Sequence, residues 1–219
     1  MKTGISNIVS KSELSNDIKN IINSEVERLD KCLATTTYDT SEISNCPRCM
    51  IYKSIKMKNN CFAVDKYHNK FVIEKWANLM GYYVIETNMV LFDCNYNMVG
   101  NGDIMLEVDN SKILLKIQSV NKKDFNRILT KGAFKKHVLE LMANEWLAEV
   151  DSGLLIYENR DDFKFEIFQV HLFVHIIESI KKKCKDLMNY NIKGDLPDRP
   201  YKDNGKECQN CNYNKECWS

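Results

Sequence analysis

Apolar residues recur every three or four positions near both ends of the chain and alternate in the middle. From Ile8 to Leu33, the residues Ile18, Ile21, Ile22, Val26, Leu29 and Leu33 share one helical face, and charges fill the other. The polar stretch "ATTTYDTSEISN" reads as a connection whose Ser and Thr can cap the next segment. "CPRCMIYKSIKM" opens a short helix or extended segment. "VDKYHNKFVIEKWANLMG" predicts an amphipathic helix with Phe71, Ile73, Trp76 and Leu79 inward and Gly81 as its stop. The period then changes to two: "YYVIETNMVLF", "NMVGNGDIMLEV" and "KILLKIQSV" are β-rich runs, the last two joined at Asp109 and Asn110. A helix is predicted next in "AFKKHVLELMANEWLAEV", then a strand pair, "GLLIYEN" and "FKFEIFQV", around "RDD". A long helix runs through "HLFVHIIESIKKKCKDLMNY", with Ile176, Ile177, Ile180, Cys184, Leu187 and Met188 on one face. The order α, α, β-β-β, α, β-β, α predicts an α/β sheet flanked by helices.

Composition narrows this picture. With 219 residues, 44% of them hydrophobic and 28% charged, the chain can bury a substantial core. The pattern divides it into an N-terminal helical segment, 1–40, and one main domain, 41–219. A net charge of +1 means that any nucleic-acid surface must be local. No apolar run reaches the length of a membrane span, so no membrane partner is expected. The first twenty residues lack the apolar centre of a signal peptide, so the expected location is cytoplasmic.

Nine cysteines in a reducing compartment point to metal binding rather than disulfides. Cys46 and Cys49 form a C-x2-C pair; Cys208, Cys211 and Cys217 are spaced C-x2-C-x5-C in a polar tail. Soft thiolates select zinc or an iron–sulfur cluster. Four of these thiolates would tie the N-terminal third to the C-terminus. Cys32, Cys61, Cys94 and Cys184 stand alone and read as small buried hydrophobes.

"SNCPRCMIYK" resembles the S-x-C-P-R-x-x-x-Y segment of RecB-like nucleases of the PD-(D/E)XK superfamily. In their iron–sulfur branch, which includes CRISPR-adaptation exonucleases and AddB-type nuclease domains, one such cysteine joins three at the C-terminus. The resemblance extends in order along the chain: His68 on a helix, Glu86 on the first strand, Asp103 in "GNGD", and "LLKIQS" where (D/E)-x-K is expected. His137 and Glu140 in "HVLELMAN" stand where phage-type members carry H-x-x-Q-x-x-x-Y, and "GLLIYENRDD" is similar to a strand of theirs. The implied fold is a restriction-endonuclease-like core sheet flanked by helices, with N- and C-terminal cysteines joined in a metal clasp. The implied clasp is Cys46, Cys208, Cys211 and Cys217, with Cys49 as a spare. Its expected occupant is a 4Fe-4S cluster before 2Fe-2S, with zinc as the alternative. The phage-like strand and the Asn- and Lys-rich composition suggest a viral origin, in which case the location is the host cytoplasm.

The family's chemistry is metal-assisted phosphodiester hydrolysis. Two carboxylates hold Mg²⁺ or Mn²⁺, the ion activates water, and a lysine stabilises developing charge. This chain keeps Asp103 but places Lys116 at the second carboxylate position and Gln118 at the lysine position. Glu140 replaces the family's Gln, and Asn144 its Tyr. A protonated lysine cannot ligate a cation. Glu107 shares the face of Asp103, but four strand residues span about 13 Å, too far for one ion. The expectation is an impaired nuclease that binds DNA or serves in a nucleic-acid-processing complex. One alternative is an active Mg²⁺- or Mn²⁺-dependent exonuclease using Asp103, Glu86 and His68, with Lys116 or Gln118 on the water. Another is a zinc-clasped accessory subunit of a replication or transcription assembly.

The run "NKKDFNRILTKGAFKKH" supplies Lys122, Lys123, Arg127, Lys131, Lys135 and Lys136, with Phe125 and Phe134 between them. Phosphate contacts and base stacking of this kind suit single-stranded DNA. Lys181 to Lys185, the run "KKKCK", is a second basic stretch. His171 and His175 have i,i+4 spacing on the expected long helix, where packing explains them without a metal.

Overall fold

A mixed sheet organises the computed structural model, which describes residues 37–57, 66–201 and 205–218. Its strands are β1 (Tyr38–Asp39), β2 (Val84–Asp93), β3 (Met98–Val108), β4 (Ser111–Val120), β5 (Ser152–Asn159) and β6 (Phe165–His171). The order is β1-β3-β4-β5-β6, with β2 also on β3. The helices are α1 (Pro47–Met57), α2 (Lys66–Met80), α3 (Lys122–Lys131), α4 (Lys135–Leu147), α5 (Val174–Lys193), α6 (Lys206–Gln209) and α7 (Asn214–Trp218). The helix expected between Ile8 and Leu33 lies outside the described residues. Among the described residues no helix is long and apolar enough to cross a membrane.

Alternation builds the two faces of the sheet. Leu114, Leu155 and Tyr157 point to the larger core, which α3, α4 and α5 close with Phe125, Ile128, Leu141, Ile177 and Leu187. Leu115, Ile117 and Ile156 point to the other face, where α2 lays down Ile73 and Trp76. Burial on both faces accounts for the nearly continuous apolar runs of β4 and β5, which pair in parallel. The β3–β4 turn places Asp109 (φ 50°) and Asn110 (φ 61°) in the left-handed region, which short polar residues tolerate.

The pairing of β3 positions the candidate site. β2 runs antiparallel along one edge of β3, from Met98 to Leu106. The other edge is shared: β1 pairs in parallel at Met98 and Val99, whereas β4 pairs antiparallel only from Ile104 onward. Residues 100–103 therefore face a gap between two partners, and side chains fill it.

Several sequence expectations change here. The connection before α1 carries β1 and a 3-10 turn, Thr40–Glu42. Phe71 and Leu79 are exposed, because the buried stripe of α2 runs through Ile73 and Trp76 and both lie off it. The basic run after β4 contains a helix the pattern did not show, α3, capped by Asn121. His171 ends β6 while His175 is on α5, so they do not form an i,i+4 helical pair. Cys184 is buried as expected, but Cys94 is half-buried and disulfide-bonded rather than an apolar filler. Cys32 and Cys61 lie outside the described residues.

Candidate functional site

The gap beside β3 holds a buried polar cluster. Lys116, on β4, points its ammonium into it and lies 3.4 Å from Asp103 Oδ1, 3.2 Å from Glu140 Oε1 and 3.4 Å from the Asn101 carbonyl. The exposures are 4% for Asp103, 6% for Lys116 and 9% for Glu140. Asp103 Oδ2 accepts the Ile117 N–H at 2.7 Å, taking a donor that the ended β3–β4 ladder would leave unpaired. Asn144 donates from Nδ2 to the Asn101 carbonyl at 3.0 Å. Helix α4 supplies His137, Glu140 and Asn144 from one stripe, because residues three and four apart share a helical face.

Charge explains the cluster's protonation. Burial would lower the pKa of Lys116, but Asp103 and Glu140 outweigh it and hold the ammonium well above its ordinary value. Burial raises Glu140, while Lys116 opposes the rise, and Asp39 and Asp103 add to it. His137 is pushed down to about 4 by burial and by the charges of Lys136 and Lys116. Its Nδ1 and the Tyr157 hydroxyl are hydrogen-bonded at 2.9 Å, while that hydroxyl accepts the Phe134 N–H at 3.0 Å. Burial pushes Tyr157 up to about 12, so it stays protonated and can donate.

The structure thus brings together Asp103, Lys116 and Glu140. Gln118 is half-buried on the same face of the sheet, opposite Tyr157. Glu86 is exposed on β2, and the side chain of His68 lies outside the described residues. The Asn101 carbonyl and Asp39 had no sequence signal: one is backbone, and the other lies in what reads as a polar connection. A divalent ion does not fit this arrangement. The Lys116 ammonium stands among the oxygens that would ligate it, and among the described residues no group of three or more His, Cys, Asp or Glu is placed to hold a metal ion.

Of the basic stretch, Lys122, Lys123, Lys131, Lys135 and Lys136 are exposed. Arg127 is half-buried, stacks 3.9 Å from the Phe134 ring centre and donates to the Gly132 carbonyl. Phe125 is 4% exposed and packs in the core, which corrects its expected role as a stacking residue. The second basic run is partly used internally. Lys183 donates to the Ile43 and Asn45 carbonyls at 2.8 and 2.6 Å, and Lys181 lies over Trp146.

Five cysteines line one cavity of about 470 Å³: Cys46, Cys49, Cys208, Cys211 and Cys217. All five are half-buried. Cys46 Sγ accepts the Cys49 N–H at 3.4 Å. Burial, joined by the charge of Cys211, pushes Cys49 up to about 12. Other contacts seat the tail on α1. Tyr52 stacks on Tyr213 at 5.8 Å and donates to the Glu216 carbonyl at 3.1 Å, and Arg199 donates to the Cys217 carbonyl at 3.0 Å.

No family model and no curated protein matches the sequence. The fold does match solved structures. An alkaline exonuclease from Laribacter hongkongensis superposes with a TM-score of 0.56 at 9% identity, over 73% of this chain and 91% of that one. The same exonuclease in complex with dAMP gives 0.54 at 10% identity, over 73% and 91%. A phage-related exonuclease from Haemophilus somnus 129PT gives 0.51 at 10% identity, over 72% and 94%. The chain therefore shares its mixed α/β fold with these exonucleases.

Proposed function

We propose that this chain is a nuclease-fold protein with an impaired hydrolytic site, retained for binding DNA alone or inside a nucleic-acid-processing complex. The observation that carries the reading is the Lys116 ammonium, held between Asp103 and Glu140 where an ion-dependent hydrolase needs its metal. Gln118 brings no charge to a developing phosphorane, and neutral His137 is already engaged by Tyr157. Exposed Lys122, Lys123, Lys131, Lys135 and Lys136 offer phosphate contacts on the segment that follows β4. The structural neighbours include an alkaline exonuclease, also solved with dAMP, and a phage-related exonuclease, which supports DNA as the ligand class. Single-stranded DNA is favoured because basic residues that track a backbone need no duplex groove.

The same reading assigns an iron–sulfur cluster to the cysteine cavity, ahead of a lone zinc ion. Its five cysteines line one cavity, and thiolates are the ligands that such a cluster takes. Cys46, Cys208, Cys211 and Cys217 would hold it, with Cys49 in reserve. The cluster would supply a structural cross-link. Within the chain, these residues bring the tail onto α1.

The test is a Mg²⁺- and Mn²⁺-dependent cleavage assay on purified protein, using single- and double-stranded DNA with an Asp103→Ala control. No cleavage above that control is expected. Robust cleavage that Asp103→Ala abolishes would overturn the reading in favour of an active exonuclease with an atypical site.

A further inference from the structure

We infer that the Lys116 ammonium is a resident cation, seated where Asp103, Glu140 and the Asn101 carbonyl would otherwise accept a divalent ion, and that removing it uncovers a cation site. The inference rests on the reading of the site as hydrolytically impaired and adds what took the metal's place.

The donor set is the first argument. Two carboxylates and a backbone carbonyl, from β3 and α4, turn their oxygens to one point, with Asp39 adding negative charge nearby. Hard oxygen donors of this kind suit Mg²⁺, Mn²⁺ or Ca²⁺. The point is occupied by a compact positive charge lying 3.2 to 3.4 Å from all three oxygens. Buried carboxylates that face each other need such a charge, because unpaired they would repel at low dielectric.

Second, two of the three oxygens are also held by groups other than the lysine. The Ile117 N–H fixes Asp103 through its other oxygen, and the Asn144 amide holds the Asn101 carbonyl. Glu140 is carried by α4, and its carboxylate pairs with Lys116. Truncating Lys116 therefore leaves the Asp103 and Asn101 oxygens in place, frees the Glu140 carboxylate and removes the group that excludes an ion. Ammonium and ion cannot share the seat, since two cations would stand within a few ångström in a nearly dry site.

The test uses the full chain without DNA. Mn²⁺ is titrated into wild type, Lys116→Ala, Lys116→Glu and the double variant Lys116→Glu/Asp103→Ala, with free ion followed by electron paramagnetic resonance. Thermal melts with and without Mn²⁺ accompany the titrations. The expected result is at least ten-fold tighter Mn²⁺ binding by both single variants than by wild type, loss of that gain in the double variant, and Mn²⁺-dependent rises in melting temperature confined to the single variants. Wild type binding Mn²⁺ as tightly as the variants would contradict the inference. So would folded variants that bind no more tightly than wild type, or a gain that survives Asp103→Ala. If Lys116→Glu does not fold, Lys116→Ala decides. Failure of both to fold at any Mn²⁺ concentration also counts against a site able to accept the ion. Cleavage of DNA by the wild-type protein is a separate result, and it bears on the impaired-nuclease reading alone.

Discussion

Glu145, on α4, is fully buried, and among the described residues neither carboxylate oxygen has a hydrogen-bond partner. Burial raises its pKa to about 8. The folded state therefore holds a proton that the unfolded chain releases from about pH 4.5 upward. Stability from this group is complete below that value and is lost as pH rises through about 8. Replacing it with an apolar side chain removes the dependence. Glu145→Met is expected to be more stable than wild type by roughly 2 kcal/mol at pH 9, with the gap narrowing toward pH 5. Urea unfolding at a series of pH values checks this, and a parallel pH dependence in both proteins would rule it out. Gly100 is a second point of control. A β-carbon there would lie 2.9 Å from the Thr40 side chain and collide with Asn144 Oδ1. Gly100→Ala is expected to cost about 1–3 kcal/mol and to disturb the Asn144 hold on the Asn101 carbonyl, read as a lower melting temperature. The order of Asp103, Lys116 and Glu140 was legible in the sequence because each sits at a motif position. Gly100, the Asn101 carbonyl and the orphaned Glu145 were not, because close approach and burial arise only once β3 and α4 are packed.

At the scale of elements, α3 is the instructive case. Its run of lysines hides two core positions three residues apart, Phe125 and Ile128. The signal available was the cap: Asn121 Oδ1 accepts the Asp124 N–H at 2.9 Å, and Asn121 Nδ2 donates back to Asp124 at 3.0 Å. The two faces of α3 should therefore respond differently. Phe125→Ala is expected to destabilise the fold by about 3–5 kcal/mol, as loss of a core aromatic does, rather than to weaken DNA binding selectively. Lys122→Glu/Lys123→Glu is expected to leave the melting temperature nearly unchanged and to weaken single-stranded DNA binding. If both lysines contact phosphates, the slope of log affinity against log salt should also shrink by about 1.4. Binding and melting curves on the same preparations separate the two effects. Strands β2 to β6 were legible from their period. The pairing of β3 with both β1 and β4 on one edge was not, since a two-residue strand in a polar segment has no periodicity to read.

Across the whole molecule, residues far apart in sequence converge at two places: the buried cluster beside β3 and the cysteine cavity beside α1. The cysteine spacing pointed to a shared use of these residues, and all five line one cavity. The proposed cluster would make the tail part of the fold. Cys217→Ala should then lower the iron content and the melting temperature together. Full retention of both would remove Cys217 from the clasp, and zinc without iron would favour the zinc alternative. The central claim of the proposed function is that a fixed lysine charge stands where metal-dependent cleavage would need its ion, in a protein proposed to bind DNA. Fluorescence anisotropy of a labelled single-stranded oligonucleotide, titrated in EDTA and in Mg²⁺ at matched ionic strength, tests it most directly. The account predicts the same affinity in both buffers and an oligonucleotide of unchanged length after prolonged incubation. Binding that appears only with Mg²⁺, or an oligonucleotide shortened by wild type but not by Asp103→Ala, would contradict it.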